Sequence, residues 1–222
     1  MFDRIAQRYD LLNRVLSAGT DVRWRRRAVD ALELRAPARV LDVCTGTADL
    51  LIEVLRRDPR HCGLGCDLSC GMLLRGARKL DACGLRGRAA LVSADAASLP
   101  VRDGTFDGAL VGFGIRNVGE PLRALRELRR VLRPGGRLVV LEFSSPQGVF
   151  GRLYRLYFRH LLPRLAGLLS EGTAYEYLPA SVARFPSADG FARLVCEAGF
   201  TGVGWRLLSG GIACLHWGEK LR

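Results

Sequence analysis

The chain lacks most of the features that place a protein in a special class. No apolar run reaches the roughly 18 residues that a membrane-spanning helix needs. The N-terminus, MFDRIAQRYD, carries no apolar signal segment, so a cytosolic protein is expected. Internal repeats and low-complexity linkers are absent. Lysine is almost absent as well, and the formal net charge of +12 rests on arginine. The arginines are scattered rather than banked, and no RNP or zinc motif accompanies them. That argues against a nucleic-acid partner. The charge suits an anionic surface or ligand, or reflects only the base composition of a GC-rich genome.

Metal spacing is missing too. Of the seven cysteines, Cys62, Cys66 and Cys70 form C-x3-C-x3-C, a near-miss to an iron–sulfur signature. Cys62, Leu64 and Cys66 alternate as on a buried strand, which makes the two cysteines small hydrophobes on one face. No zinc pattern occurs, and no metal is expected.

What is present is a large apolar fraction, 49%, in 222 residues. This suits one domain with a sizeable core. Residues 1–36 read as helical, with a turn at Ala18–Gly19 and a second helix from Trp24 to Leu34. Strands and helices then alternate. The segments 39–44, 61–67, 89–93, 106–111 and 137–143 read as strands. The segments 48–57, 71–83 and 121–132 read as helices, the last ended by Pro134-Gly-Gly136. The alternation predicts an α/β fold, a doubly wound and mostly parallel sheet. Residues 150–169 break the rhythm. Leucines and aromatics recur there at helical spacing, and Arg152, Arg155, Arg159 and Arg164 fill the other positions. That pattern predicts a basic amphipathic helix, either covering the sheet edge or meeting an anionic bilayer. Residues 188–198 read as helix, and 202–208 and 212–217 as closing strands.

The first strand runs into LDVCTGTADL. A dinucleotide loop would carry three glycines to seat a pyrophosphate. Here Asp42 comes first and only Gly46 is left, with small residues at Cys44 and Ala48. Asp42 would repel an anion and suits a ligand with a positive end. S-adenosylmethionine has a sulfonium and an ammonium and no phosphate. Asp67 lies 25 residues on, at the end of the second strand, where a carboxylate can accept both ribose hydroxyls. Asp95 and Ala96 end the third strand and can meet the adenine amino group and ring. Each acid alone could equally be a turn or cap residue.

These segments resemble a known family. VLDVCTGTADLL, ADAASLPVRDGTFDGALVGFGIRNV, LRPGGRLVVLEFSSP, the tail YEYLPASVARFP with LLSGGIACLHWG, and the N-terminal MFDRIAQRYDLLNRVLSAGTDVRWRR are similar to the UbiE/MenG-type quinone-biosynthesis C-methyltransferases. The resemblance implies a Rossmann-like class I methyltransferase over 1–222. Its parts would be a helical cap (1–36), a cofactor core (37–145), a helical lid (146–187) and a sheet completion (188–222). It also implies S-adenosylmethionine as methyl donor, contacted by Thr47, Asp67, Asp95 and Ala96. The acceptor would be a polyprenylated hydroquinone such as demethylmenaquinol. Ala48 stands where glycine is commoner, as in members acting on menaquinone alone. Gly112, beside the cofactor, replaces a polar contact of some dual-function members.

Methyl transfer to a ring carbon requires alignment and an electron-rich ring. Arg116 and Asn117, in GFGIRNV, are the expected catalytic pair. Arg116 would stabilise a phenolate, since a guanidinium is too weak an acid to serve as a base. The plain alternative is an ion pair between Arg116 and Glu142 or Asp10. His216 is a second candidate for proton transfer, although a strand histidine is more often a bonded core residue. Tyr9, Asn13, Tyr175 and Tyr177 are expected substrate-pocket groups. The expected setting is the cytoplasm, with transient contact at the inner face of the cell membrane, and a homodimer or quinone-biosynthesis complex is compatible with it. Other acceptors on the same fold, an RNA methyltransferase and a non-catalytic scaffold remain open alternatives.

Overall fold

Apolar runs without polar alternation can be strands only where both sheet faces are covered. The computed structural model describes residues 19–146 and 181–221, and these meet that condition. In order they form α1 (Asp21–Asp30), β1 (Arg39–Val43), α2 (Asp49–Arg57), β2 (Cys62–Asp67), α3 (Cys70–Ala82), β3 (Ala89–Ser93), β4 (Phe106–Gly112), α4 (Pro121–Val131), β5 (Leu132–Phe143), α5 (Ala188–Glu197), β6 (Thr201–Leu208) and β7 (Ala213–Glu219). The sheet order is β3-β2-β1-β4-β5-β7-β6. The pairings from β3 to β5 are parallel, and β7 runs antiparallel to both β5 and β6.

Strand residues alternate between two cores. Leu41, Val43, Ala109, Val111, Leu138 and Val140 face Leu125 and Leu128 of α4 and Phe191 and Val195 of α5. Val40, Leu110, Val139 and Leu141 face Trp24 and Ala28 of α1 and Leu50 and Val54 of α2. Leu51 and Leu55 of α2 close against Leu80 of α3. β1 is flanked by β2 and β4, so the chain order reverses there. The loops after β1 and β4 leave in opposite directions and open a crevice above the strand ends.

Several boundaries differ from expectation, each for a local reason. α1 ends at Asp30 rather than Leu34, because Glu33 turns to φ 51° and directs Leu32 into the core. β5 starts at Leu132, and Pro134-Gly-Gly136 is a bulge within it. That bulge is held by Gly135 N to Lys220 O (2.8 Å) and Lys220 N to Gly136 O (2.9 Å). Cys62 and Cys66 do not share a buried face. Cys62 sits exposed at the start of β2, and only Cys66 reaches the core. Asp95 lies beyond the end of β3, in a turn closed by Ser98 N to Asp95 O at 3.0 Å. Residues 1–18 and the basic segment 150–169 lie outside the described residues, and so do Tyr9, Asn13, Tyr175 and Tyr177. No helix among the described residues is long and apolar enough to cross a membrane.

One aromatic group ties α1 to the crevice. Trp24 is 2% exposed, and its Nε1 donates to Ser209 Oγ at 2.9 Å. Its ring lies 6.2 Å from Phe113 and 6.3 Å, edge-on, from Phe143; those two rings are 4.5 Å apart. Trp24→Ala should therefore cost about 3–5 kcal/mol in urea unfolding. A loss below about 0.5 kcal/mol, the size of an ordinary surface change, would show that the cluster does not anchor α1.

Candidate active site

The loop after β1 is built by a buried acid. Asp42 is 1% exposed, and its Oδ2 accepts from Thr45 Oγ1 (2.6 Å) and Leu51 N (3.2 Å). Those two bonds fold residues 44–48 tightly over the strand end. Cys44, Gly46 and Ala48 all take left-handed backbone, with φ of 55°, 54° and 65°. At Ala48 this costs about 1–2 kcal/mol relative to glycine, which is the physical meaning of an alanine there. The other oxygen of Asp42, Oδ1, is buried without a hydrogen-bond partner. Burial pushes this carboxyl up to about 7, helped by the charges of Asp67 and Asp49 and opposed by its Thr45 and Leu51 hydrogen bonds.

Asp67 fastens the second wall. Its Oδ2 accepts from Gly46 N and its Oδ1 from Ser69 N, both at 2.8 Å. Each oxygen keeps a lone pair for a further donor. Asp95 makes an Asx turn, with Oδ1 accepting from Ala97 N at 2.9 Å. The turn bonds of both acids leave acceptor capacity for a ligand. The fourth strand ends close against this loop. A Cβ at Gly114 would stand 2.2 Å from Cys44 Cβ, so only glycine allows that approach.

These parts enclose a cavity of about 250 Å³ lined by Gly46, Asp67, Asp95, Ala96, Gly112 and Asn117 among the expected residues. Its apolar wall, missed in the sequence, includes Leu68, Met72 and Phe113. Leu68 had a readable signal in its place directly after Asp67, and the structure leaves it 70% exposed. Cys44 also lines the cavity, but burial and the Asp67 charge raise its thiol far above the usual range, so it stays protonated. Asp42 and Thr47 are not in this lining. They border a smaller cavity beside it, and the Thr47 hydroxyl accepts from Lys79 Nζ at 3.0 Å.

Neither Arg116, the expected phenolate stabiliser, nor His216, the candidate for proton transfer, is in the lining of the larger cavity. The Arg116 side chain is 7% exposed and pairs with Glu142 Oε1 at 2.5 Å; Glu142 is fully buried. Arg116 Nη1 also donates to Phe113 O at 2.5 Å, and the guanidinium carbon lies 5.3 Å from the Phe143 ring centre. Arg116 and Asn117 belong to a single 3-10 turn, Ile115–Asn117, rather than to the strand itself. His216 lies elsewhere. It is 1% exposed, its Nε2 is 3.0 Å from Ala188 O, and it packs edge-on against Phe191. Burial lowers its pKa, and it is absent from the cavity lining. This is the bonded core histidine, and proton transfer is not assigned to it.

The residues fit S-adenosylmethionine. Two acids and an apolar wall suit an adenosine, and the unpartnered Asp42 oxygen suits a cationic end. Among the described residues, no group of His, Cys, Asp or Glu could hold a metal ion. Sheet order, reversed last strand and acid-lined crevice together define the Rossmann-like class I methyltransferase fold. A solved S-adenosylmethionine-dependent methyltransferase from Aquifex aeolicus superposes with a TM-score of 0.65 at 18% identity, covering 89% of each chain. The [4+2]-cyclase SpnF superposes at 0.71 with 20% identity, over 90% of this chain and 80% of its own. The fold alone therefore does not select a reaction.

The family does. The model of the ubiE/COQ5 methyltransferase family matches residues 1–220, and the chain belongs to that family. It is 49% identical to a demethylmenaquinone methyltransferase of Thermus thermophilus, over 99% of this chain and 100% of that one. It is 48% identical to a ubiquinone/menaquinone biosynthesis C-methyltransferase UbiE of Syntrophotalea carbinolica, over 98% and 92%. The chain is an S-adenosylmethionine-dependent C-methyltransferase.

The ionisation of Asp42 yields a pH prediction. A cationic ligand binds the ionised carboxylate, so S-adenosylmethionine affinity should rise between pH 6 and 7.5, below the range where the ligand's own ammonium titrates (about 7.7–8.0). Free-protein stability should move the other way. The unfolded carboxyl ionises near 3.8 and the folded one near 7, so stability held at low pH is lost as pH rises through that window. Asp42→Asn should flatten both profiles. Identical calorimetric pH profiles for the two proteins would remove Asp42 from the cofactor's environment.

Proposed function

We propose that this chain transfers a methyl group from S-adenosylmethionine to a ring carbon of a polyprenylated hydroquinone, with demethylmenaquinol as the substrate. The observation that carries the reading is the full-length likeness to relatives named demethylmenaquinone methyltransferase, at 49% in Thermus thermophilus and 44% in Beutenbergia cavernae. The donor supplies an electrophilic methyl on a sulfonium; the carbon–sulfur bond breaks, a carbon–carbon bond forms and a ring proton leaves. The chain must hold two molecules in line and raise the ring's electron density. Asp67, Asp95 and Ala96 hold the adenosine end. Arg116, aimed by Glu142, stabilises the developing phenolate, and Asn117 orients the hydroxyl. The names of the UbiE relatives favour a second reading, in which a benzoquinol is accepted as well.

Incubation with labelled S-adenosylmethionine and reduced short-chain demethylmenaquinone, read by product mass, tests the reading. The same assay with the benzoquinol analogue separates the two substrates, and no methylated product from either would overturn the proposal. Contact with an anionic bilayer belongs to the same reading, supported by the apolar and arginine pattern of 150–169. Binding to anionic vesicles that is indifferent to salt and lipid charge would refute it.

Arg116→Lys keeps the charge and loses the planar fork. Donor affinity should hold while turnover falls. Turnover within twofold of the parent, a difference of about 0.4 kcal/mol, would leave Arg116 with its structural ion pair alone.

A further inference from the structure

α1 reaches the β1 loop through the side chain of Arg25. Arg25 of α1 borders a cavity of about 40 Å³ together with Asp42, Gly46, Thr47 and Gly112. This cavity shares Cys44, Gly46, Gly112 and Phe113 with the larger one, so the two meet around the β1 loop. Arg25 is held by its Nη1, which lies 2.9 Å from Asp21 Oδ2 and 3.3 Å from Asp49 Oδ2. Its side chain is 14% exposed. Among the described residues, Nε and Nη2 carry no hydrogen bond. The same cavity borders Asp42, whose Oδ1 is buried and unpartnered.

A cation with unused donors and an acid with an unused acceptor, around a space this small, are complementary to a zwitterion. A single carbon bearing both a carboxylate and an ammonium meets that description. Only one end of S-adenosylmethionine does so. Asp67, Leu68 and Asp95 line the larger cavity and not the smaller one, and they suit the adenosine, which leaves the smaller cavity beside Arg25 for the amino-acid end. We infer that Arg25 binds the α-carboxylate of S-adenosylmethionine, making α1 a wall of the donor site. The inference rests on the proposed placement of the donor. The competing role for Arg25 is a brace that joins α1 to α2 through Asp49.

Donor and demethylated product carry the same amino-acid end. Arg25 therefore binds both alike, and it acts on affinity rather than on the transfer step. Arg25→Gln should raise the donor KM and leave kcat near the parent value.

The deciding measurement is calorimetry on the full chain with two ligands, S-adenosylmethionine and its decarboxylated form, which lacks only the carboxylate. The parent protein should favour the carboxylated ligand by about 10–100-fold, the size of a lost charge-assisted contact. Arg25→Gln should abolish that preference by weakening S-adenosylmethionine alone, and its unchanged affinity for the decarboxylated ligand reports an intact fold. Arg25→Lys should retain part of the preference. Equal losses on both ligands, or an unchanged preference, would make Arg25 a brace. Should Arg25→Gln fail to fold, the parent alone decides, because equal affinity for the two ligands overturns the inference. A parent that binds neither ligand would overturn the cofactor placement and this inference together.

Discussion

The site depends on a carboxylate kept out of water. Asp42 has two jobs that conflict in free-energy terms. One oxygen folds the β1 loop by accepting from Thr45 and Leu51, while the other is buried with no partner. An ionised carboxylate in that position is costly, and its raised pKa is the expression of that cost. Such a group is stable only where the surroundings over-determine it. Strands on either side, the α2 N-terminus and the left-handed turns at Cys44, Gly46 and Ala48 provide that constraint. The free protein thus holds strain that a cationic ligand is suited to relieve.

The remaining walls are referred to this loop. Gly46 N bonds Asp67, so the first loop sets the angle of the acid on the second. Gly114 lies against Cys44, so the turn after β4 is set by the same loop. From that turn, Phe113 and Arg116 carry the constraint outward, to Trp24 on one side and to Glu142 on the other. The ion pair of Arg116 with Glu142 has no water to weaken it, and breaking one partner would strand the other charge. The cost of desolvating this pair secures the direction of the guanidinium, which is what a positioned electrostatic stabiliser requires.

The crevice was legible because its acids sit at or near strand ends in a repeating βα pattern. Asp42 lies near the end of β1, Asp67 ends β2 and Asp95 lies just past β3, and a doubly wound sheet gathers those ends on one edge. What pattern could not separate was direct contact from support. Asp42 and Thr47 read as ligands; both border the smaller cavity, and both also hold contacts inside the protein, Asp42 with Thr45 and Thr47 with Lys79. Cys62 read as buried through alternation, yet a strand's first residue lies at the sheet's rim whatever its parity. Arg25 carried no signal at all, because the residues that border its cavity, Asp42 of β1 and Gly46 of the following loop, lie far from it in the sequence.

Order of elements, parallel core, strand-end acids and the small-residue loop were all written in local patterns. Periodicity and turn chemistry act over a few residues, and one-dimensional spacing records them fully. The choice of Glu142 over Asp10 as the partner of Arg116, the burial of His216 against Phe191, and the placing of Arg25 and Asp42 around one cavity were decided only by the tertiary structure. Each depends on which faces of distant elements are pressed together. The charge state of Asp42 belongs to this second group, since the same aspartate in water would ionise near 3.8. Sequence names the titratable group, but the packing that excludes water from it sets where it titrates.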